Sequence, residues 1–432
     1  MVDVAMFAAA VSQGFCSKKG GKVDMQVDGD IVTLCDALVR FIDKEVVALE
    51  KENATLLHDE RLVYNDKGRF VEKVLQLRRQ VRMRSAELGF YNMFASEELG
   101  GSGLDARANI YIQEVINHKY GPGRRLIQTV VLPSPFTNGL SPVLRHLKPD
   151  VFETYRAGLA SGDKTLCFCL SEPDAGSDVY AMKSKAVKSG NEWIITGTKQ
   201  WITNAPYADY AMVFAVTDPE RAAKRRGGVT GFFVDTRTPG FSVPSVIRTM
   251  GHLGAEIGIV ALDDVRVPED HMIGPLHEGL TVALGGINAG RLSMAGSSVG
   301  LARWALDQAI DYAQVRKTFG RPIAEHQAIQ LLLADSAMDI YAAKSMAQNC
   351  AWKIDNGIPA VKETSMVKAY ATEMVGRVMD RSIQVHGAMG LTNELQLEEG
   401  YRLARQIRVP DGTGEIHRRT IARQLLKGDH AL

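Results

Sequence analysis

The chain has 432 residues, 51 Lys plus Arg against 50 Asp plus Glu, and a hydrophobic fraction of 45%. At roughly 100–200 residues per domain, that length calls for two to four domains. A net charge of +1 provides none of the positive field that nucleic-acid binding uses, and no apolar run reaches the ~18 residues of a membrane-spanning helix.

Residues 1–28 mix Val, Ala and Gly with Lys18, Lys19 and Lys22, contain Asp3 and lack arginine, so they match a mitochondrial transit peptide poorly. They read as a mobile extension, and the expected compartment is the cytoplasm. Residues 29–164 read as helical: Ile31, Leu34, Leu38 and Phe41 recur at three- and four-residue spacing, which puts them on one helix face. Glu97 to Gly103 is a glycine-rich break, after which Arg107 to His118 resumes a helix. Residues 165–283 change character. Short β-rich runs (Glu192 to Thr196, Tyr210 to Val216, Gly231 to Val234, Ile257 to Leu262) alternate with Gly, Pro, Asn and Asp clusters at the spacing of a β-sandwich or barrel. Residues 284–432 return to long amphipathic stretches, Arg291 to Gln314, Glu325 to Asn356 and Val361 to Val385, of a length suited to an antiparallel bundle.

Generic motifs are mostly absent. No G-x-G-x-x-G follows a strand, and no P-loop or H-E-x-x-H is present, so dinucleotide-fold, NTP and metal-hydrolase chemistry have no anchor. Gly296-Ser-Ser-Val-Gly300 matches the hydrolase elbow G-x-S-x-G but lies inside a continuous helical pattern, where small residues serve close helix packing. The five cysteines are scattered and odd in number, which fits reduced thiols, and Cys167 with Cys169 read as alternating strand residues. No metal site is expected.

Three segments carry the functional signal: Cys169-Leu-Ser-Glu-Pro-Asp-Ala-Gly-Ser-Asp178, Lys199-Gln-Trp-Ile-Thr-Asn204, and Arg408-Val-Pro-Asp-Gly-Thr-Gly-Glu-Ile-His417. Together they resemble the acyl-CoA dehydrogenase family over nearly the whole chain after the extension. The resemblance implies an α+β architecture of N-terminal helical domain, central β-barrel or sandwich and C-terminal four-helix bundle, with FAD as cofactor. It implies that Phe168, Leu170 and Ser171 line the flavin edge, that Trp201 packs on the ring and that Thr203 bonds near its N5. Ser177 would hold the CoA moiety.

Arg316-Lys-Thr-Phe-Gly-Arg-Pro-Ile323, followed by His326 and Gln327, resembles the family's pyrophosphate-binding element. There Arg316 and Thr318 would serve the FAD of a neighbouring subunit, the planar arginine fork matching phosphate oxygens. Gln384 to Gly390 resembles the matching loop on the adenosine side, with Gln384 and Gly387 as contacts. Such sharing implies a homo-oligomer, tetramer or dimer, and the family implies an electron-transferring flavoprotein as acceptor.

The family's catalytic glutamate position, in a Glu-Gly-Thr motif, is occupied by Asp411, followed by Gly412 and Thr413. The family's second base position, before an arginine at the start of the bundle, is Gly290, before Arg291. The resemblance therefore makes Asp411 the base that takes the α-proton while hydride leaves the β-carbon for flavin, giving the 2,3-enoyl-CoA. The bland reading of Asp-Gly-Thr is a helix cap. Glu415 stands at a usual flavin-contact position and is a fallback base, while Arg291, Asn288 and Gly412 would lie by the substrate and Thr413 by the cofactor. Aspartate is one methylene shorter than glutamate, which favours a branched, cyclic or bulky acyl group. The alternatives are a flavin oxidase of the nitroalkane-oxidase type and a non-catalytic flavin-binding partner subunit.

Overall fold

The computed structural model describes residues 27–250 and 257–431, so all but the last two residues of the 1–28 extension lie outside the described residues. The first helix, α1 (Gly29–Phe41), is capped by Asp28, whose carboxylate accepts from Asp30 N–H, and it buries Ile31, Leu38 and Phe41 on the predicted face. It continues through a π-helical turn, Ile42–Val46, into Val47–Glu52. Next come α2 (Glu72–Glu87), α3 (Ala106–Tyr120, capped by Asp105) and α4 (Pro149–Ala160). The glycine-rich break holds the short turn Glu97–Leu99, which Gly100 ends at φ 92°.

Eight strands follow: β1 (Leu166–Cys169), β2 (Lys185–Ser189), β3 (Glu192–Thr203), β4 (Tyr210–Val216), β5 (Val229–Asp235), β6 (Phe241–Ile247), β7 (Ile257–Pro268) and β8 (Met272–Ile273). They form one sheet in the order β6-β7-β3-β2-β4-β5-β8, with β1 joined in parallel to β4. The sheet curls around its own core of Trp193, Ile195, Val213, Phe232, Val260 and Val265. Cys167 and Cys169 are fully buried in that core, as alternation along a strand requires. The opposite face, with Leu166, Met212, Phe214 and Phe233, packs on Val151, Phe152 and Leu159 of α4.

The bundle comprises α5 (Gly279–Val315), α6 (Gln327–Asp355) and α7 (Val361–His386), with α8 (Leu397–Gln406) and α9 (Gly414–Leu426) against them. Between α5 and α6 lies a small hairpin, β9 (Lys317–Thr318) and β10 (Arg321–Pro322). Helix α5 begins at Gly279, ahead of the expected Leu284. A Cβ there would stand 2.6 Å from the backbone N of Gly231, so the absent side chain lets the helix start directly on β5. Gly296 and Gly300 likewise touch α3: a Cβ would meet the Ile110 carbonyl at 2.7 Å and the Glu114 carbonyl at 2.3 Å. The G-x-S-x-G sequence is thus a helix-packing stripe with no strand-to-helix elbow. Among the described residues, no helix is long and apolar enough to cross a membrane.

Candidate active site

Asp411 sits in the loop between α8 and α9 and does not cap the helix. Thr413 does, its hydroxyl accepting from Ile416 N–H. Asp411 has φ 56°, left-handed backbone that aspartate tolerates better than most residues, and Gly412 follows at φ 106°. Its Oδ2 is buried with no hydrogen-bond partner. Burial raises this carboxyl to about 6, although Arg291 and Lys368 pull it down. A carboxylate poised near neutrality and left without a protein donor on one oxygen has the properties of a general base.

The surrounding elements fix that loop. Arg291 on α5 donates from Nε to the Asp411 carbonyl at 3.0 Å and from a terminal nitrogen to Asn288 Oδ1 at 3.0 Å. Lys368 on α7, fully buried, donates to the carbonyls of Gly412 (2.7 Å) and Arg408 (3.0 Å). Buried His417 lies against Gly412, where a Cβ would approach its Nε2 to 3.0 Å, and burial lowers the imidazole to about 4. Gly290 completes the setting: a Cβ there would lie 2.7 Å from Asp411 Oδ2 and 3.0 Å from the Phe136 ring. Gly290 therefore faces Asp411, and its lack of a side chain leaves room for the carboxylate. Glu415 differs in every respect. It is exposed, and hydrogen bonds from its own N–H and the Thr413 hydroxyl hold it below its usual value.

Phe136 connects this loop to the sheet, its ring lying 5.0 Å from that of Phe168 on β1. Leu170 is buried and Ser171 half-buried beyond it. The Ser171 carbonyl accepts from Gln200 N–H at 2.9 Å, joining the segment to β3. Beneath them, Lys199 and Glu172 form a buried ion pair at 2.7 Å, and Lys199 also donates to the Leu170 carbonyl. Against the upward pull of burial, Lys199 and the N–H groups of Lys183 and Ser184 keep Glu172 ionised.

The pairing of β3 with β7 shifts register between Lys199 and Ile202, a bulge that re-aims the intervening side chains. Within it Trp201 takes φ 66° and stands 52% exposed, next to half-buried Thr203. An indole presented in this way, beside hydroxyl and amide groups, fits a planar conjugated ring. Ser177 is exposed at the end of the same loop, and neighbouring Asp178 pairs with Arg225 at 2.7 Å.

A second cluster forms around the hairpin. Arg316 is exposed, and the Thr318 hydroxyl lies 3.3 Å from His326 Nε2, with Gln327 exposed beside it. Tyr312 stacks on His386 with centroids 4.5 Å apart, and Ile323 shares an apolar cluster with Val385, which brings Gln384 and Gly387 to this end. Gly387, at φ 61°, faces open space. Arg291 lies a third of the way along α5 and Arg316 directly follows its last residue, roughly 37 Å apart at 1.5 Å per residue. The sequence-predicted residues thus fall into two groups: one around Asp411, Phe168 and Trp201, the other around the hairpin. Phe136 and Lys368 belong to the first group and carried no sequence signal; Glu172, Lys199 and His417 lie in the three segments read as functional but were given no role there.

Among known proteins, residues 167–265 match the family model "Acyl-CoA dehydrogenase, middle domain" and residues 277–426 match "Acyl-CoA dehydrogenase, C-terminal domain". The chain is 35% identical to the 3-(aryl)acrylate reductase of Clostridium sporogenes, covering 83% of this chain and 93% of that protein. It is 34% identical to the caffeyl-CoA reductase-Etf complex subunit CarC of Acetobacterium woodii, covering 88% and 95%. The solved structure of butyryl-CoA dehydrogenase from Megasphaera elsdenii is similar with a TM-score of 0.78 and 25% identity, over 93% of this chain and all of that one.

Proposed function

The chain belongs to the acyl-CoA dehydrogenase family, and from that premise we propose that Asp411 is the base that removes the α-proton of an acyl-CoA thioester. As a member of the family it is an FAD-dependent oxidoreductase acting on CH–CH bonds. The observation that carries the role of Asp411 is its buried, unpartnered Oδ2 facing Gly290, with burial raising it toward neutrality.

Trp201, Thr203, Phe168, Leu170 and Ser171 would hold the ring of FAD. Bound FAD supplies the acceptor for the hydrogen that leaves the β-carbon with its electron pair. Asp411 takes the α-proton, and its N–H would hold the thioester oxygen as negative charge develops there. The Phe136 and Phe168 rings would form an apolar side of this site and limit the access of water to it. Ser177 would contact the CoA moiety, with Arg291, Asn288 and Gly412 close to the acyl group.

Arg316, Thr318, His326, Gln327, Gln384 and Gly387 would serve the FAD of a second copy. Their separation along α5 from Arg291, which holds the Asp411 loop, supports a site shared between copies in a homo-oligomer. Electrons would pass to an electron-transferring flavoprotein, a reading supported by the relative named as a subunit of an Etf complex. Two relatives bear reductase names, which favours a second reading: the same residues run in reverse, with Asp411 giving its proton back to the α-carbon of an enoyl or aryl-acrylyl thioester.

The test is anaerobic bleaching of the oxidised flavin band by straight, branched, alicyclic and 3-arylpropionyl-CoA thioesters, with Asp411→Asn alongside. We expect one class to bleach the wild type and the variant to be slower by at least ~100-fold, the scale of general base catalysis. Equal rates in the two proteins would move the base elsewhere. Failure of every thioester in protein holding FAD would turn attention to nitroalkanes or to a silent partner subunit.

A further inference from the structure

Lys368 is fully buried in α7, and its ammonium bonds to backbone carbonyls, those of Gly412 and Arg408, which bracket Asp411 in the chain. An ammonium taken from water is costly unless an opposite charge compensates it. Its carboxylate neighbours are few. Glu373, one turn along α7, is committed to Arg418 through two bonds of 2.7 Å and lies 3.7 Å from Arg408. The other groups facing Asp411 are Arg291 from α5, His417 from α9 and the Arg408 backbone of its own loop. Asp411 lacks a hydrogen-bond partner on Oδ2 and Lys368 lacks a carboxylate in direct contact; the two attract through space, Arg291 being the stronger positive charge acting on Asp411.

From this geometry we propose that Lys368 is the positioning residue of the base loop: it clamps the carbonyls on either side of Asp411 and, together with Arg291, supplies the buried positive charge that favours its ionised form. The proposal rests on Asp411 being the base for its catalytic consequence, but the coupling of the two groups stands or falls independently. Burial lowers Lys368 itself to about 8, so it remains charged across the range in which Asp411 titrates. Removing it takes away attraction for the carboxylate and leaves the proton harder to remove, so the Asp411 midpoint must rise. The clamp and the charge are separable: Gln at 368 retains an N–H donor without the charge, and Met has neither.

The experiment is an infrared pH titration of the FAD-loaded enzyme, following the protonated-carboxyl C=O band that Asp411→Asn abolishes, in wild type, Lys368→Gln and Lys368→Met. The midpoint should move up by about one pH unit in both variants. The acid limb of flavin bleaching by the thioester 3-phenylpropionyl-CoA, or by butyryl-CoA if that bleaches faster, should move with it. The high-pH plateau rate should fall about tenfold or more in Lys368→Met and much less in Lys368→Gln, because only Met releases the loop. A midpoint unmoved in Lys368→Gln, the variant less disturbed in shape, overturns the proposal. A midpoint that rises while the bleaching limb stays put retains the coupling of Lys368 to Asp411 and removes Asp411 as the base.

Discussion

A carboxylate made useful by burial is also a defect in the fold, and at Asp411 the two effects have one cause. An unfolded aspartate loses its proton near 4, whereas the folded one keeps it to about 6. Between those values the native state binds more protons than the unfolded state, so this group's contribution to stability falls as pH rises, and above about 6 the penalty is complete. At about 1.4 kcal/mol per pH unit it reaches at most about 3 kcal/mol. Asp411→Asn should therefore melt higher than wild type at pH 8, with the difference shrinking toward pH 4. Thermal unfolding at the two pH values decides this, and a wild type that is the more stable at pH 8 would contradict the burial argument. The candidate base was read in the sequence from the resemblance that its Asp-Gly-Thr setting carries. Phe136 and Lys368 were not, because an aromatic in a loop and a lysine on a helix acquire these roles only when elements far apart in the chain pack together.

At the scale of elements, glycines show which helix contacts are tight. Gly300 in α5 approaches the Glu114 carbonyl on α3 so closely that a methyl group must push the helices apart, whereas Gly376 in α7 has open space around its Cα. Gly300→Ala should cost about 1–3 kcal/mol in denaturant unfolding, the range for overpacking. Gly376→Ala should gain about 0.5–1 kcal/mol by restricting the unfolded chain. Equal effects at the two sites would refute the packing assignment. Helical periodicity revealed α6 and α7 to within two residues and the end of α5, since a long amphipathic pattern is a local property, but it placed the start of that stretch at Arg291, twelve residues past Gly279. It could not reveal the bulge in β3 that turns Trp201 outward, because a bulge is defined by the partner strand's register.

For the whole molecule, the question is what covers the hairpin end of the bundle. Phe319 is 97% exposed, and Val315, Leu331, Met338, Tyr341 and Leu391 are exposed in the same region of the chain. Apolar surface of this kind beside Arg316 is what a second copy would bury if the FAD site is shared. Light scattering should give a multiple of the 47.3 kDa chain mass. Phe319→Asp should shift the protein toward monomer and release FAD on gel filtration, and a monomeric wild type retaining stoichiometric FAD would exclude sharing. The sequence pointed to this end of the molecule through the Arg316 motif, but the distance that separates it from Asp411 became visible only when α5 was seen as one unbroken rod.

That rod has a further consequence. Helix α5 contributes Leu280, Val282 and Ile287 to the core shared with the sheet, Leu292, Ala295 and Val299 to the bundle core, and Ala309 and Ala313 to the cluster beneath the hairpin. Three hydrophobic interiors are thus strung on a single continuous hydrogen-bonded ladder, and none can melt without fraying a helix that the others hold. Heat should therefore melt these three interiors in one step, and proteolytic nicking within α5 should loosen all three together.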